Sequence, residues 1–313
     1  MPEHRRVIRI RAEDSPNVKL GLAQQAKGLE PTGEEVVPGV LSWELYQRRR
    51  RLWDPIRQCV GLDGMFYQGD KSYLFPPEWL NLAEERADQL WEVSRTGERT
   101  MGVDTAEGGD STVWCVVDEL GILDLVSLKT PDTNIIPGQT IALCNEWDIE
   151  PNNVIFDQGG GGSVHVDRLR AAQYKVREVS FGESTAPPPK LGKTTWQQQV
   201  EDRREKYSYK NRRAQMYHAL RLRLDPNSLD EEPRFAIPAQ YKELRRQLTP
   251  IPLTYDEEGR VYLLPKDKKP NSNTETLKEL IGCSPDEADA LVMAIYALDT
   301  RYVPLFDDEE SLV

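Results

Sequence analysis

The sequence predicts a mixed α/β fold, with a five-stranded sheet flanked by helices and a β-hairpin insertion. Apolar segments typical of β-strands occur at 101–104, 112–118, 122–128, 154–157 and 174–179. Short turns join the first three segments, whereas helices predicted at 137–147 and from about 164 flank the fourth. A meander followed by alternating helices and strands indicates a mixed sheet with helices on its faces.

The composition limits the class of protein. The chain has 313 residues, enough to bury a large core. Its 52 acidic and 40 basic side chains give a net charge of -12, which argues against a nonspecific nucleic-acid coat protein but allows a local basic face. The four cysteines form no CxxC pair and histidines number three, so we expect a reducing cytosol and no zinc site. Neither a signal peptide nor a membrane span is predicted.

The region upstream of the first strand differs from the rest. Residues 1–94 are predicted to be a linker region that does not fold alone. The stretch 14–39 is polar and punctuated by Gly and Pro, and helices are predicted at 42–53 and 77–95.

The remaining chain is predicted to hold one domain and a tail. Residues 95–301 contain the predicted sheet, and 250–265 is the predicted β-hairpin insertion. Residues 302–313 form an acidic tail, for which disorder is expected and a docking peptide for a partner is the alternative.

Two apolar strands end in an aspartate that precedes a glycine-rich loop. Asp104 ends the first strand, Asp157 ends the fourth, and Asp110 follows in the first glycine turn. Neighbouring strand ends converge on one crevice in an open α/β sheet, so Asp104 and Asp157 would repel each other unless a positive charge lay between them. A turn-forming role is the alternative for each aspartate.

A third acidic site is predicted at the start of a helix. Ser284 is the predicted N-cap and Pro285 a first-turn residue, while a spacing of three places Asp286 and Asp289 on one helical face. These acids could simply complement the positive end of the helix dipole. Acidic groups at two strand ends and one helix start favour a shared function over that alternative.

Four motifs carry a resemblance to a known family. DTAEGGDSTV, VIFDQGGGGS and SPDEADALVMAIYAL, in this order and spacing, resemble the nuclease domain of the large terminase subunit of tailed bacteriophages. That domain belongs to the RNase H-like, retroviral-integrase-type superfamily. YKNRRAQMYHALRLRL is similar to the basic helix of the family. The family's ATPase motif, GxxxxGK followed by Ser or Thr, does not occur, so we expect either a fragment or a motor on a separate polypeptide.

The resemblance implies an RNase H-like fold and an activity. The expected reaction is cleavage of double-stranded DNA during genome packaging, by hydrolysis with two Mg²⁺ or Mn²⁺ ions. Hard cations of this kind prefer carboxylate oxygens and water. Asp104 is expected to bridge the two ions, with Asp157 and Asp289 each binding one. Asp286 and Asp110 are auxiliary candidates, and the order of Asp286 and Asp289 is left open with a preference for Asp289.

Binding of DNA also requires positive charge. Basic residues predicted to contact DNA are Arg203, Arg204, Lys210, Arg212, Arg213, Lys266, Lys268 and Lys269. An excess of one sign within an acidic protein, with tyrosines interleaved, favours a track for phosphate groups over a merely solvated helix face. Little sequence specificity is expected because no group suited to reading bases is recognised. The glycines at 159–162 are predicted to allow close approach of backbone or DNA, with simple flexibility as the alternative.

The resemblance further implies partners and location. These are the portal protein, the small terminase subunit and the ATPase motor, with oligomers formed only on the portal and with the host cytoplasm as the location. Two other functions stay open from the sequence. One is another RNase H-like enzyme, such as a junction resolvase or a transposase, and the other is a noncatalytic DNA-binding module of a packaging motor.

Overall fold

The computed structural model describes residues 8–53, 55–65, 72–90, 95, 97–106, 110–185, 207–226, 234–268 and 274–300. These residues form two compact units. The first unit comprises the described residues up to 72 together with Tyr207, and the second unit comprises the rest. The predicted acidic tail at 302–313 lies outside the described residues, as do Arg203, Arg204 and Lys269.

The first unit is helical. Its helices are α1 (Pro16–Ala26), α2 (Trp43–Leu52) and α3 (Pro55–Gly61). Helix α2 confirms the helix predicted at 42–53, and it begins where the Ser42 hydroxyl oxygen accepts a hydrogen bond from the Leu45 N–H at 3.2 Å. This contact satisfies one of the backbone donors that a helix N-terminus leaves unpaired.

Helix α1 lies within the polar stretch at 14–39, where the sequence analysis predicted no helix. Pro16 begins the helix at a position where its missing N–H costs nothing. Val18 is fully buried in the small core of this unit, together with Trp43. A Cβ added to Gly21 would lie 2.2 Å from the Trp43 ring, so the helix depends on close packing that the polar sequence does not indicate.

The second unit is built around a five-stranded sheet, which confirms the predicted fold class. Its strands are β1 (Thr100–Asp104), β2 (Thr112–Asp118), β3 (Gly121–Leu128), β4 (Val154–Asp157) and β5 (Arg177–Val179). Their order across the sheet is β3-β2-β1-β4-β5. Strands β1 to β3 form an antiparallel meander, and β4 and β5 run parallel to β1. Helical crossovers precede both parallel strands, as parallel pairing requires.

Strand β5 is shorter than the predicted segment at 174–179. The Tyr174 N–H donates to the Leu169 carbonyl and the Val176 N–H donates to the Tyr174 carbonyl, each at 2.9 Å. These bonds close a turn after the preceding helix, so the first residues of the segment do not join the sheet. Pairing with β4 is left to Arg177–Val179.

Helices cover both faces of the sheet. The helices described in the second unit are α4 (Pro77–Leu90), α5 (Ile135–Trp147), α6 (Gly162–Ala171), α7 (Arg212–Leu224), α8 (Lys242–Leu248), α9 (Leu277–Ile281) and α10 (Asp286–Asp299). Helices α5 and α6 pack on the face that carries Met101, Val103 and Trp114. Because side chains alternate along a strand, Gly102 faces the other side, where α10 packs on β1, β2 and β4.

Strand β1 and helix α10 approach each other backbone to backbone. A Cβ on Gly102 would lie 2.1 Å from the Ala290 oxygen and 2.4 Å from the Ala294 nitrogen, so glycine is required here. The Thr100 hydroxyl donates a hydrogen bond to the Ala294 carbonyl at 2.7 Å, across 194 positions of sequence. The contact fixes the start of β1 against the middle of α10.

The hairpin predicted at 250–265 is confirmed by strands β6 (Thr254–Tyr255) and β7 (Val261–Tyr262), which pair antiparallel. Gly259 supplies a φ of 74° in the turn, a value that favours glycine. The Asp256 carboxylate accepts hydrogen bonds from the Glu258 and Arg260 N–H groups and closes that turn. No helix in the described part of the chain is long and apolar enough to span a bilayer.

Helix α10 begins at Asp286, one residue later than the predicted N-cap at Ser284 implies. Pro285 is the residue before the helix, and its carbonyl accepts the hydrogen bond of the Asp289 N–H at 2.8 Å. The prediction that Ser284 is the N-cap is therefore wrong. The Ser284 hydroxyl is instead buried, with no hydrogen-bond partner among the residues that the structure describes.

Candidate metal centre

Asp104 and Asp157 lie at neighbouring strand ends. Strands β1 and β4 are parallel, with Val103 opposite Phe156, so the aspartate that follows on each strand lies at the same edge of the sheet. Asp104 is 5% exposed and Asp157 is partly buried. The structure therefore brings these two sequence-predicted residues together.

Lys266 lies among the carboxylates of Asp104, Asp286 and Asp289. Together with Asp157, these three aspartates are called the acidic cluster. The Lys266 Nζ is 3.4 Å from Asp289 Oδ2, 3.5 Å from Asp286 Oδ1 and 3.8 Å from Asp104 Oδ2. The first turn of α10 supplies Asp286 and Asp289, as the spacing of three predicted. Lys266 was predicted to contact DNA, but the structure places its ammonium group inside the acidic cluster, and the three carboxylates hold it there.

Asp289 is also bound from helix α7. The Arg213 Nε and Nη2 donate to Asp289 Oδ1 at 3.1 and 2.8 Å, and Nη2 also donates to Oδ2 at 3.0 Å. The Tyr217 hydroxyl donates to Oδ1 at 2.7 Å. Arg213 is 7% exposed and its guanidinium group binds Asp289, so its contact with DNA stays a prediction. Tyr217 was noted as one of the tyrosines interleaved in the basic segment, but its contact with Asp289 was not predicted; its spacing of four from Arg213 along a helix was the available signal.

Burial and mutual repulsion perturb the carboxylates. Burial raises the pKa of Asp104 well above its usual value; Lys266 opposes this rise, while Asp289, Asp286 and Asp157 add to it. Burial also raises the pKa of Asp157, against a hydrogen bond from the Gly159 backbone. For Lys266, burial lowers the pKa, but attraction to Asp289 and Asp104 outweighs it and the net shift is upward. The cluster therefore holds the ammonium group firmly, and burial still favours a proton on Asp104 and on Asp157.

Asp110 stands apart from this cluster. Its side chain is 50% exposed and lies 3.6 Å from the Lys278 ammonium group. The next residue, Ser111, donates its backbone N–H to Asp286 Oδ2 at 3.3 Å. The loop after β1 thus reaches the acidic cluster through a backbone donor, while the Asp110 carboxylate is engaged elsewhere.

The glycines after β4 allow the chain to turn tightly around Asp157. A Cβ on Gly162 would lie 1.8 Å from the Asp157 carbonyl oxygen, and one on Gly159 would lie 2.8 Å from Asp157 Oδ2. Gly160 and Gly161 have φ values of 56° and 78°, in the region that favours glycine. Close approach of backbone, one of the two predictions for this run, is what the glycines provide.

The other predicted DNA-binding residues have separate surroundings. Lys210 is exposed, with its Nζ 5.2 Å from the Tyr262 ring centroid, and Lys268 is exposed and 3.2 Å from Glu279. Arg212 is turned inward and lies 3.6 Å from Glu183. Within the described ranges, Lys210 and Lys268 are therefore the predicted residues with cationic groups at the surface.

The acidic cluster fits a hard divalent cation by its donor chemistry. Asp104, Asp157, Asp286 and Asp289 offer carboxylate oxygens, which Mg²⁺ and Mn²⁺ prefer. Among the described residues, no three His, Cys, Asp or Glu side chains are drawn together closely enough to hold a metal ion by themselves. The Lys266 ammonium group lies between Asp104, Asp286 and Asp289 and offsets part of their charge, so these three groups are already arranged around a cation.

The strand order, with acidic groups at the ends of β1 and β4 and at the start of α10, defines an RNase H-like α/β fold. The chain is similar to the nuclease domain of the large terminase subunit gp2 of bacterial virus Sf6, at 20% identity and a TM-score of 0.52, covering 74% of this chain and 100% of that chain. A mutant of that domain with manganese has 19% identity and a TM-score of 0.53, and the match covers 71% of this chain and 98% of that chain. A mutant gp2c of the large terminase subunit from bacteriophage Sf6 with calcium has 21% identity and a TM-score of 0.52, and the match covers 71% of this chain and 98% of that chain.

At these identities the likeness shows a shared fold. It confirms, at the level of fold, the predicted resemblance to large-terminase nuclease domains. No protein-family model matches this chain, and neither does any curated protein.

Proposed function

We propose that this chain is a metal-dependent endonuclease that cleaves double-stranded DNA during the packaging of a phage genome. The observation that carries the proposal is the acidic cluster, in which a strand end and a helix start surround the Lys266 ammonium group. The shared fold supports this reaction class, because the Sf6 domain is a terminase nuclease and is described with manganese.

In this proposal, carboxylates from the sheet and from helix α10 hold two divalent cations. Asp104, at the end of the central strand, would serve as a ligand to both, and Asp157 would be a ligand to one of them. When bound, Mg²⁺ or Mn²⁺ would supply an activated water for attack on the phosphodiester and would stabilise the departing oxygen. Lys266 opposes the upward shift that burial imposes on the pKa of Asp104 and so favours the ionised form of this ligand.

The two aspartates of α10 are unequal as ligands. Asp289 Oδ1 already accepts hydrogen bonds from Arg213 and Tyr217, which leaves Oδ2 to face the cluster. Asp286 Oδ1 has the Lys266 contact, and Asp286 Oδ2 accepts one long bond from Ser111. Asp286 therefore has more free acceptor capacity, and we propose that it is a ligand alongside Asp289. The preference for Asp289 from sequence alone rested on helical register and not on acceptor capacity.

The substrate and partners follow from the proposed role. Double-stranded DNA would meet the acidic cluster through its phosphate groups, with Lys210 and Lys268 as surface cations that bind the backbone without reading bases. The portal protein, the small terminase subunit and an ATPase motor are proposed partners, in the host cytoplasm.

Plasmid digestion tests the proposal. Wild-type protein is expected to cleave supercoiled plasmid with Mn²⁺ or Mg²⁺ and to be inactive in EDTA. Asp104→Asn removes the charge of the central ligand at nearly constant size, so cleavage should fall by at least about 1000-fold while the fold is kept. Asp299→Asn is the matched control, because Asp299 lies at the opposite end of α10, paired with Arg223, and its variant should cleave as wild type does.

The alternatives give different results in the same experiment. Cleavage retained by Asp104→Asn contradicts the assigned site. If the wild-type protein neither cleaves plasmid nor binds Mn²⁺ in calorimetry, the chain is a noncatalytic module. Selective cutting of four-way junctions over linear duplex indicates a resolvase.

A further inference from the structure

Helix α7 presents two side chains to one carboxylate of α10. Arg213 and Tyr217 are four residues apart and therefore lie on the same helical face. Together they make four hydrogen bonds to Asp289, three of them to Oδ1. We call Arg213 and Tyr217 the α7 clamp. Asp289 and Tyr217 are 0% exposed and Arg213 is 7% exposed, so water does not compete for these bonds.

The α7 clamp gives the two carboxylate oxygens of Asp289 different roles. A carboxylate has about four acceptor positions. Oδ1 receives donors from both clamp residues and has no capacity left for a cation. Oδ2 receives one donor from Arg213 and lies 3.4 Å from the Lys266 ammonium group, toward the other carboxylates. The clamp thus selects a single carboxylate orientation, in which one oxygen faces the acidic cluster.

The clamp residues are themselves held rigidly. The Arg213 backbone N–H donates to the Phe181 carbonyl at 3.1 Å, and its guanidinium carbon lies 5.4 Å from the centroids of the Phe181 and Tyr217 rings. The Tyr217 ring packs against Phe75, with 6.4 Å between centroids. Side chains locked by packing can orient a ligand without adjusting to it, which is how partners of metal ligands set affinity.

We infer that Arg213 and Tyr217 are positioning residues, which fix Asp289 so that Oδ2 is presented to the bound divalent cation. The inference rests on the proposed function and deepens it by assigning a role to residues that do not touch the metal. It also explains why an arginine in a basic helix is buried at Asp289 and does not lie on the surface with Lys210.

The test is calorimetric Mn²⁺ binding to the full chain. Tyr217→Phe removes one hydrogen bond to Asp289 without changing formal charge, so a change in affinity reports on orientation and not on the electrostatic attraction of the site. We expect Mn²⁺ affinity to fall by about 10-fold, as for other partners of metal ligands. Tyr209→Phe is the control, because the Tyr209 hydroxyl contacts His218 Nδ1 at 3.2 Å on the same helix, and its affinity should stay within about twofold of wild type.

A second variant keeps the charge and changes the geometry. Arg213→Lys retains a cation beside Asp289 but loses the planar two-pronged contact, so Mn²⁺ affinity should fall by about 10- to 100-fold. Thermal unfolding in EDTA checks that each variant is folded. Wild-type affinity in folded Tyr217→Phe and Arg213→Lys overturns the positioning role and leaves the proposed nuclease intact. Absence of Mn²⁺ binding by the wild-type protein overturns both.

Discussion

Replacement of Lys266 by alanine removes the ammonium group from the acidic cluster. Its contacts with Asp104, Asp286 and Asp289 are 3.8, 3.5 and 3.4 Å long. At such distances and an effective dielectric constant of about 20, each contributes about 5 kcal/mol of gross attraction. Desolvation cancels most of this, and loss of one partner from a buried ion cluster typically costs about 3–5 kcal/mol. Because the Lys266 side chain is 31% exposed, we expect the lower value, about 3 kcal/mol.

Thermal unfolding in EDTA measures this loss. For a unit of this size, about 3 kcal/mol corresponds to a fall in Tm of about 6–12 °C. The control is Lys268→Ala, which removes a lysine that is 56% exposed beside Glu279 and should cost less than about 0.5 kcal/mol. Saturating Mn²⁺ should raise the Tm of Lys266→Ala more than that of wild type, because a bound cation replaces the missing charge. Equal losses for the two lysine variants in EDTA would refute the reasoning.

Two further predictions concern the packing and the titration of α10. Gly102→Ala places a Cβ against the Ala290 backbone and should destabilise the protein by about 3 kcal/mol in chemical denaturation, whereas Gly138→Ala, at an open helical position, should stabilise it by about 0.5–1 kcal/mol. If Gly102→Ala lowers the free energy of unfolding by less than about 1 kcal/mol, the close contact is contradicted. Burial, with repulsion from Glu243, raises the pKa of Glu287 to about 7. The folded state then binds this proton more tightly than the unfolded state, so stability in EDTA should decrease as pH rises from about 4.5 to about 7. Glu287→Gln should flatten that slope, and an unchanged slope excludes this residue as its cause.

The strand ends could be predicted because their signals are local. An apolar run that stops at an aspartate and a glycine turn indicates a strand end whether or not its neighbours are known. Asp104 and Asp157 therefore emerged from the sequence together with the sheet that brings them to one edge. The hairpin after helix α8 was equally local, because its turn glycine and flanking β-formers are adjacent in the chain.

The surroundings of these aspartates depend on contacts that local patterns do not encode. Arg213 pairs with a carboxylate 76 positions away, and a basic helix ordinarily directs such a side chain to solvent. Lys266 follows the hairpin among other lysines, and its neighbours in sequence give no sign that it turns toward α10. Helix α1 was missed for a related reason, since Gly21 weakens its pattern while providing the space for Trp43.

The contact between β1 and α10 also has a consequence for protein synthesis. Thr100 and Ala294 are 194 positions apart, so the ribosome releases the Asp104 strand end long before it makes α10. Until α10 has docked, Asp104 lacks the carboxylates of Asp286 and Asp289 beside it. A nascent chain therefore has no complete acidic cluster until helix α10 has been translated and packed against β1.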